Sequence, residues 1–351
     1  MSTSWRIDYL DTLEPLEGEW RELANQGDNI FATWEWVKTW WRHFGKSRRL
    51  YIARCYDSQN NLVSLIPLYL ARTRPIRLVR LVGNGVSDEQ GPVCSSAAKR
   101  HAPTMLDQAI WALPSRWDIF LGENLPDIDM WNSTIGGEVI RREGNPALRS
   151  EGIDWEGFLS RASRNLRQQV RRRERNVERA HQLRYRLADD QDRLDYDMDL
   201  LFSLHAARWG AVKRGFQTVH AFHREFATLA FNRGWLRLWF LELDGAPAAA
   251  WYGFRFGTVE SYYQAGRDLR YEHLSIGSVL LAHSIREALN DGMHEYRFLR
   301  GGEDYKYRFA HEDHVLGGIA LPATVRGRAA IRAVLTLAGA KWARPLISRS
   351  V

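Results

Sequence analysis

Cysteine is nearly absent from this chain: Cys55 and Cys94 are the only two in 351 residues. Two thiols exclude a disulfide framework and a four-thiolate metal site, and each reads as a small core residue. Long apolar runs are missing as well. No stretch approaches the roughly 20 consecutive apolar residues that span a bilayer. The opening, Met1-Ser2-Thr3-Ser4-Trp5-Arg6, has neither the basic region nor the apolar core of a signal peptide, so a cytoplasmic protein with no integral membrane span is expected. Gly-x-Ser-x-Gly and the P-loop lysine motif do not occur. Gly83-Asn84-Gly85 lacks the third glycine of a dinucleotide fingerprint, and His311-Glu312-Asp313-His314 is not the His-Glu-x-x-His zinc motif. No metal site is expected.

What is present is a large apolar share, 45%, with 26% charged residues and a formal charge of +7. That length suits two domains. A moderate positive excess suits an anionic ligand such as the phosphates of a nucleotide or of a nucleic acid, without choosing between them.

The first half opens with aromatics at three- and four-residue spacing: Trp34, Trp36, Val37, Trp40, Trp41 and Phe44 share a helix face. This is an aromatic core stripe, or part of a ligand pocket with Trp36 as a substrate contact. Strands are expected at Leu50–Cys55 and Leu62–Leu70, joined by a turn at Asp57–Asn61, and again at Leu78–Val82 and Asp118–Leu121. The pattern breaks between about Leu125 and Asp154, where a domain boundary is placed. A basic helix follows from Arg164 through Arg175, with Leu159, Leu166, Val170 and Val177 as a thin apolar stripe. The arginines from Arg161 to Arg179 form a solvated face or a phosphate contact surface. No aromatics interleave them, so stacking on single-stranded bases is not supported.

The second half reads as helices at Asp197–Trp209 and His223–Phe231, then strands at Leu236–Leu243, Ala248–Arg255 and Val259–Ala265. Asp244-Gly245 supplies the hairpin turn between the first two. A helix over Ser275–Asn290 and a final short strand at Glu295–Leu299 complete it. The helix entry offers backbone N–H groups to an anion, with Gly277 allowing close approach and Ser275 and Ser278 adding hydroxyls. Ser275 is equally a plain N-cap. The tail from Arg326 to Arg349 is basic and amphipathic through Ile331, Val334, Leu335 and Leu337, and docks on the protein or touches an anionic membrane surface.

The run Leu236–Ala250, the segment Tyr262-Tyr263-Gln264-Ala265-Gly266-Arg267-Asp268 and the turn Ser275-Ile276-Gly277-Ser278 resemble the central hairpin and donor loop of GNAT acyltransferases. The ending Phe298–Lys306 is similar to the bacterial CelD-like or BioF2-like branch, which is related to the FemABX peptidyltransferases with their two GNAT-like halves. Phe31–Phe44 and Gly83–Pro92 extend the likeness into the first half. The resemblance implies an α/β fold of tandem GNAT-like halves, each a mixed, mostly antiparallel sheet flanked by helices. The expected domains are residues 1–150, residues 151–325 and a basic tail over 326–351.

The resemblance also implies a donor site at Ser275, Ile276, Gly277 and Ser278, with Tyr263 and Ala265 on the preceding strand. The turn departs from the common Arg/Gln-x-x-Gly-x-Gly/Ala pattern in having one glycine, which leaves room for a donor other than acetyl-CoA. Tyr305-Lys306 stands where FemABX-like proteins carry an aromatic and a lysine at the reaction centre. Amide formation needs a neutral amine, oxyanion donors and a protonated leaving group. Lys306 is therefore assigned to the oxyanion and Tyr305 to the leaving group, with Asp88 and Glu303 as bases or amine anchors. His205, Arg208 and Trp209, on one helical turn, recur in the CelD-like pattern, and Arg208 suits an acceptor carboxylate or donor phosphate.

The function expected is N-acyl transfer from an acyl-CoA to a small-molecule or peptide amine, with no tightly bound cofactor. Two alternatives remain: aminoacyl transfer from a charged transfer RNA, and a catalytically silent GNAT-like binding protein.

Overall fold

In a computed structural model, residues 5–73, 75–150, 152–210 and 214–339 are described. The strands in chain order are β1 (Arg6–Leu10), β2 (Arg48–Tyr56), β3 (Leu62–Thr73), β4 (Ile76–Leu81), β5 (Val93–Cys94), β6 (Ile119–Pro126), β7 (Glu138–Glu143), β8 (Pro146–Arg149), β9 (Leu183–Leu187), β10 (Leu236–Leu243), β11 (Ala246–Phe256), β12 (Val259–Arg267), β13 (Glu295–Arg297), β14 (Glu312–Asp313) and β15 (Leu316–Pro322). The helices are α1 (Glu17–Ala24), α2 (Trp34–Phe44), α3 (Ala102–Trp111), α4 (Ile128–Ile135), α5 (Trp155–Arg161), α6 (Arg164–Ala180), α7 (Leu194–Trp209), α8 (Arg214–Thr218), α9 (His220–Asn232), α10 (Ile276–Asn290) and α11 (Val325–Gly339). Among the described residues, no helix is long and apolar enough to cross a membrane.

The chain forms two compact units, residues 1–144 with 314–351, and residues 145–313. Each holds one sheet. The first runs β1-β2-β3-β4-β6-β15-β7, with β5 on β3; the second runs β14-β8-β13-β12-β11-β10-β9. In both, every pairing is antiparallel except one: β4 with β6, and β12 with β13. Both parallel pairs are bridged in sequence by a helix, α3 or α10, as a parallel crossover requires. This is the repeated mixed α/β plan expected from the sequence.

The division of the chain differs from the expected boundaries. Pro146–Arg149 already pairs with β13, so the second unit begins at residue 145. Leu316–Pro322 returns to the first sheet, between β6 and β7. Its alternating-poor run, Leu-Gly-Gly-Ile-Ala-Leu-Pro, carries no marker of its partners. In the tail, α11 docks on the first unit: Ile331 packs with Ile119 and Ala320. The remainder of the Arg326–Arg349 segment, from residue 340, lies outside the described residues.

Local chemistry accounts for the elements around the site. The Ser163 hydroxyl caps α6 by accepting from Leu166 N–H at 3.2 Å. Asp244 and Gly245, at φ +52° and +83°, make the tight turn between β10 and β11. In the second unit, α5, α6 and α10 cover one apolar layer built from Leu148, Phe158, Leu241, Trp251, Ile285 and Tyr296. Arg186 on β9 clamps three elements, donating to both Asp197 oxygens on α7 and to Glu242 on β10, each at 2.8 Å.

In the first unit Asp118 plays a similar part. Its carboxylate accepts from Arg77 Nε at 3.0 Å, Arg77 N–H at 2.9 Å and Thr324 Oγ1 at 2.9 Å, tying β4 and the entry to α11 together. Hydrogen bonds from Arg77 hold this carboxyl well below the usual carboxylate range. Asp118→Asn should destabilise the protein by about 1–3 kcal/mol at neutral pH. Because the folded-state value is depressed, the carboxylate's contribution is complete above about pH 4 and fades as the pH falls toward that lower value. Unfolding curves of wild type and variant should therefore converge in acid.

Candidate acyl-transfer site

The parallel pair in the second sheet is short. Ladder partners run from Val259↔Glu295 to Ser261↔Arg297, yet β12 continues to Arg267. Just past the last partner, the register between β11 and β12 slips at Tyr252/Gly253, leaving Tyr263 as an extra bulged residue on β12. The sheet opens there into a cavity of about 350 Å³. Its walls are Ala265, Gly266 and Arg267 from β12, Ser275, Gly277 and Ser278 from the entry to α10, Arg208 from α7, and Tyr262 and Tyr305.

The entry to α10 is built for this position. Asp268 accepts from Arg270 N–H at 2.9 Å and starts a 3-10 turn over Leu269–Leu274. Ser275 then takes left-handed backbone angles, φ +56° and ψ +36°. Its carbonyl accepts from Ser278 N–H at 2.9 Å and Val279 N–H at 3.2 Å. The N–H groups of Ile276 and Gly277 precede those bonds and open the helix. Although Ser275 occupies the N-cap position, its side chain makes no capping bond. The hydroxyl is thus not spent on the helix, contrary to the plain-cap reading. Ile276 contributes only backbone, since its side chain is fully buried in the core. A Cβ on Gly277 would meet nothing nearer than Arg267 Cδ at 3.5 Å, an ordinary contact. Packing within the fold therefore does not demand glycine at this place.

Gly266 is different. A Cβ there would fall 2.2 Å from His205 N and 2.3 Å from the Leu204 carbonyl carbon. The backbone of α7 lies directly on β12, and one turn later Arg208 reaches the cavity wall. The Arg208 guanidinium sits 4.4 Å over the Trp209 ring. Arg267, on the same wall, pairs with Glu272 at 2.9 Å. His205 does not line the cavity; it is buried with its ring 4.6 Å from Phe216. Tyr263 joins the same aromatic layer, its hydroxyl 3.4 Å from His223 Nε2. Burial pushes His223 down to about 3, so its ring is neutral.

Tyr305 and Lys306 part company. Tyr305 enters the cavity wall, its hydroxyl 3.5 Å from that of Tyr262, the outer limit of a hydrogen bond. Burial, then the neighbouring Tyr262, raises the Tyr305 phenol far above its ordinary range. It is a neutral proton donor at any physiological pH. Lys306 turns away instead and is 4% exposed. Its ammonium donates to the carbonyls of Leu299 at 3.3 Å, Arg300 at 2.8 Å and Gly301 at 3.2 Å, and pairs with Glu303 at 2.9 Å. All three of its protons are taken. Lys306 is placed as a clip on the 299–306 turn, not as an oxyanion donor, and Glu303 is its counter-ion.

Trp36 and Asp88 belong to the first unit and do not line this cavity. Trp36 is fully buried and donates from Nε1 to Ser87 Oγ at 2.8 Å. Asp88 lies half-buried in the loop that Trp36 braces. That loop fills the corresponding opening of the first sheet, where β4 and β6 pair only at Leu78↔Ile119 and Val79↔Phe120. Gln90 N–H donates to Asn124 O at 2.9 Å, and Asn124 Nδ2 to Ser87 O at 2.7 Å.

Sequence reasoning missed Arg267 and Glu272 as cavity residues. Arg267 was reachable, because it lies two positions beyond Ala265 on the same strand face. Glu272 was not, because the 3-10 turn that carries it has no periodic signal. The two thiols are inert: burial pushes Cys55 up to about 12 and Cys94 up to about 11.

Residues 164–307, most of the second unit, match the family model for the acetyltransferase (GNAT) domain. No curated protein matches the chain significantly by sequence. Among solved structures, FemX superposes with a TM-score of 0.62 at 10% identity, covering 90% of this chain and 97% of that one. The C-terminal domain of a putative lysylphosphatidylglycerol synthetase from Agrobacterium fabrum gives 0.56 at 10% identity, covering 91% and 96%. A tandem GNAT protein from the clavulanic acid biosynthesis pathway gives 0.51 at 11% identity, covering 91% and 99%. The fold is shared with these proteins, a tandem GNAT protein among them; identities this low speak for the fold alone.

Two substitutions separate fold from site here. Lys306→Ala leaves three carbonyls and a carboxylate without their cation and should lower unfolding free energy by about 1–3 kcal/mol in a denaturant titration. A melt indifferent to the change would remove the clip. Gly277→Ala should hold or raise the melting temperature, since alanine favours helix and has room.

Proposed function

We propose that the second unit transfers an acyl group from an anionic, carrier-bound donor to an amine, with an acyl-CoA as the donor. The observation that carries this reading is the cavity at the sheet opening, where the entry to α10, Arg208 and the neutral Tyr305 face one space. The Ile276 and Gly277 N–H groups, the Ser275 and Ser278 hydroxyls and the positive end of α10 suit the carrier's phosphates. Arg208, which has no carboxylate partner among the described residues, adds a cation to the same wall. The exposed edge of β12 at Ala265–Arg267 suits the extended arm of the carrier. Attack by the neutral amine forms the C–N bond and the C–S bond then breaks; the Tyr305 hydroxyl passes its proton to the leaving sulfur and recovers one from the amine nitrogen, so the phenol ends the step neutral.

A second donor is favoured by one observation. The outer face of α6 presents Arg164, Arg171, Arg172 and Arg175 along a shallow depression. FemX and a lysylphosphatidylglycerol synthetase share the fold, and this basic face suits the phosphates of a charged transfer RNA. The two donors separate by ligand-induced stabilisation, since a ligand that binds only the folded state raises the melting temperature. CoA and acetyl-CoA should stabilise the protein with shallow salt dependence, whereas transfer RNA binding should fall steeply with salt. Stabilisation by none of them would leave the silent binding protein as the better reading.

Tyr305→Phe keeps the ring and removes the proton donor. It should cut kcat about 100-fold or more, the usual scale of lost general acid catalysis, with little change in donor affinity. Unaltered turnover would take Tyr305 out of the reaction.

A further inference from the structure

Beside the cavity, a narrow groove runs between α6 and α10. It shares Ser278 with the cavity and continues past Val279 and Ala282, with Arg173 of α6 and Arg308 of the 304–309 turn along it. The arginines of this region differ in how they are satisfied. Arg167 donates to the carbonyls of Leu159, Ser160 and Ala162 at 3.2, 3.0 and 2.7 Å, closing α5. Arg171 pairs with Glu156 at 3.2 Å, and Arg286 with Glu174 at 2.9 Å. Arg173 and Arg308 have no acceptor among the described residues.

For an exposed arginine such as Arg172 that would mean nothing, because water solvates it. Arg173 is only partly exposed, and it lines the same groove as the exposed Arg308. Burial, then Arg308 and Arg172, push its guanidinium below the ordinary arginine value. The other charges on the groove do not relieve it. Glu174 is held by Arg286 and by the Tyr185 hydroxyl at 2.8 Å. His283 is pushed down to about 4, chiefly by burial, and is neutral. Two arginines that line one groove and have no acceptor among the described residues can offer an anion charge-assisted hydrogen bonds from two sides. The groove itself holds about 20 Å³, little more than one water, so only its mouth has room for a larger anion.

We propose that Arg173 and Arg308 clamp a phosphomonoester of the donor's nucleotide carrier, next to the phosphates held at Ser275–Ser278, as the 3′-phosphate of a CoA would be. This rests on the acyl-CoA reading and assigns a second phosphate subsite to it. The Lys306 clip sets the geometry. By pinning residues 299–306 it sends Tyr305 to the cavity and Arg308, two residues on, to the groove.

The test compares CoA with 3′-dephospho-CoA by calorimetry at fixed ionic strength, on wild type, Arg173→Ala, Arg308→Ala and Arg179→Ala. Arg179 is exposed near the end of α6 and serves as a control for diffuse charge. Wild type should prefer CoA by about tenfold or more, the scale of a charge-assisted hydrogen bond. Each clamp variant should lose that preference while keeping its affinity for dephospho-CoA, and Arg179→Ala should change neither. Equal binding of the two ligands by wild type overturns the clamp and leaves the acyl-CoA reading standing. An equal loss in Arg179→Ala reduces it to diffuse charge and overturns it too. Binding of neither ligand by wild type removes the acyl-CoA reading, and the clamp with it. Loss of transfer RNA binding in both variants, without CoA discrimination, transfers the pair to a diester backbone and overturns the assignment. Unliganded melting curves confirm that each variant is folded.

Discussion

Beyond Ser261, β12 has no ladder partner on one edge, and the second unit is organised around that gap. A strand edge left unpaired inside a sheet must be filled, solvated or offered to a ligand. The two units answer the same constraint differently. In the first, the loop after β4 fills the opening and bonds to β6: Gln90 N–H donates to Asn124 O, and Ser87 O accepts from Asn124 Nδ2. In the second, the chain turns tightly through Leu269–Leu274 and starts α10 at the edge, so the opening stays as a cavity. One fold thus supplies one closed and one open version of the same junction.

The open junction is held by contacts that lie behind it. Gly266 lets the α7 backbone rest on β12, which sets where Arg208 emerges. Arg186 binds α7 to β9 and β10 through Asp197 and Glu242. Buried ion pairs of this kind add little net stability relative to apolar packing, but removing one partner leaves an uncompensated charge. They specify position more than they add strength. Lys306 does the same for the segment after β13, with an ammonium enclosed by three carbonyls and a carboxylate.

The elements of the second half were legible because their signals are local, and the tandem plan was legible through the resemblance they carry. Apolar alternation marks β10 to β12, the Asp244-Gly245 pair marks the hairpin, and the three- and four-residue spacing marks α2 and α10. Ser275, Gly277 and Ser278, singled out in the sequence, line the cavity, as does Tyr305. What failed was everything that depends on a distant partner. β9 went unread as a short, mixed strand, and β15 reads the same whichever sheet receives it. His205 and Arg208 sit one turn apart on α7, yet one is buried with Phe216 and the other faces the cavity.

Residue type and spacing by themselves determined the order of helices and strands in the second half, the helix entry that offers N–H groups, and the basic character of α6, while the tandem plan followed from the family resemblance those residues carry. Tertiary structure alone decided that adjacent Tyr305 and Lys306 have opposite fates, and that the partly exposed Arg173 lacks an acceptor of the kind that Arg167, Arg171 and Arg286 have. The reason is physical. Periodicity and turn chemistry act over a few residues, whereas the partner that satisfies or starves a charge is brought in by chain closure from elsewhere.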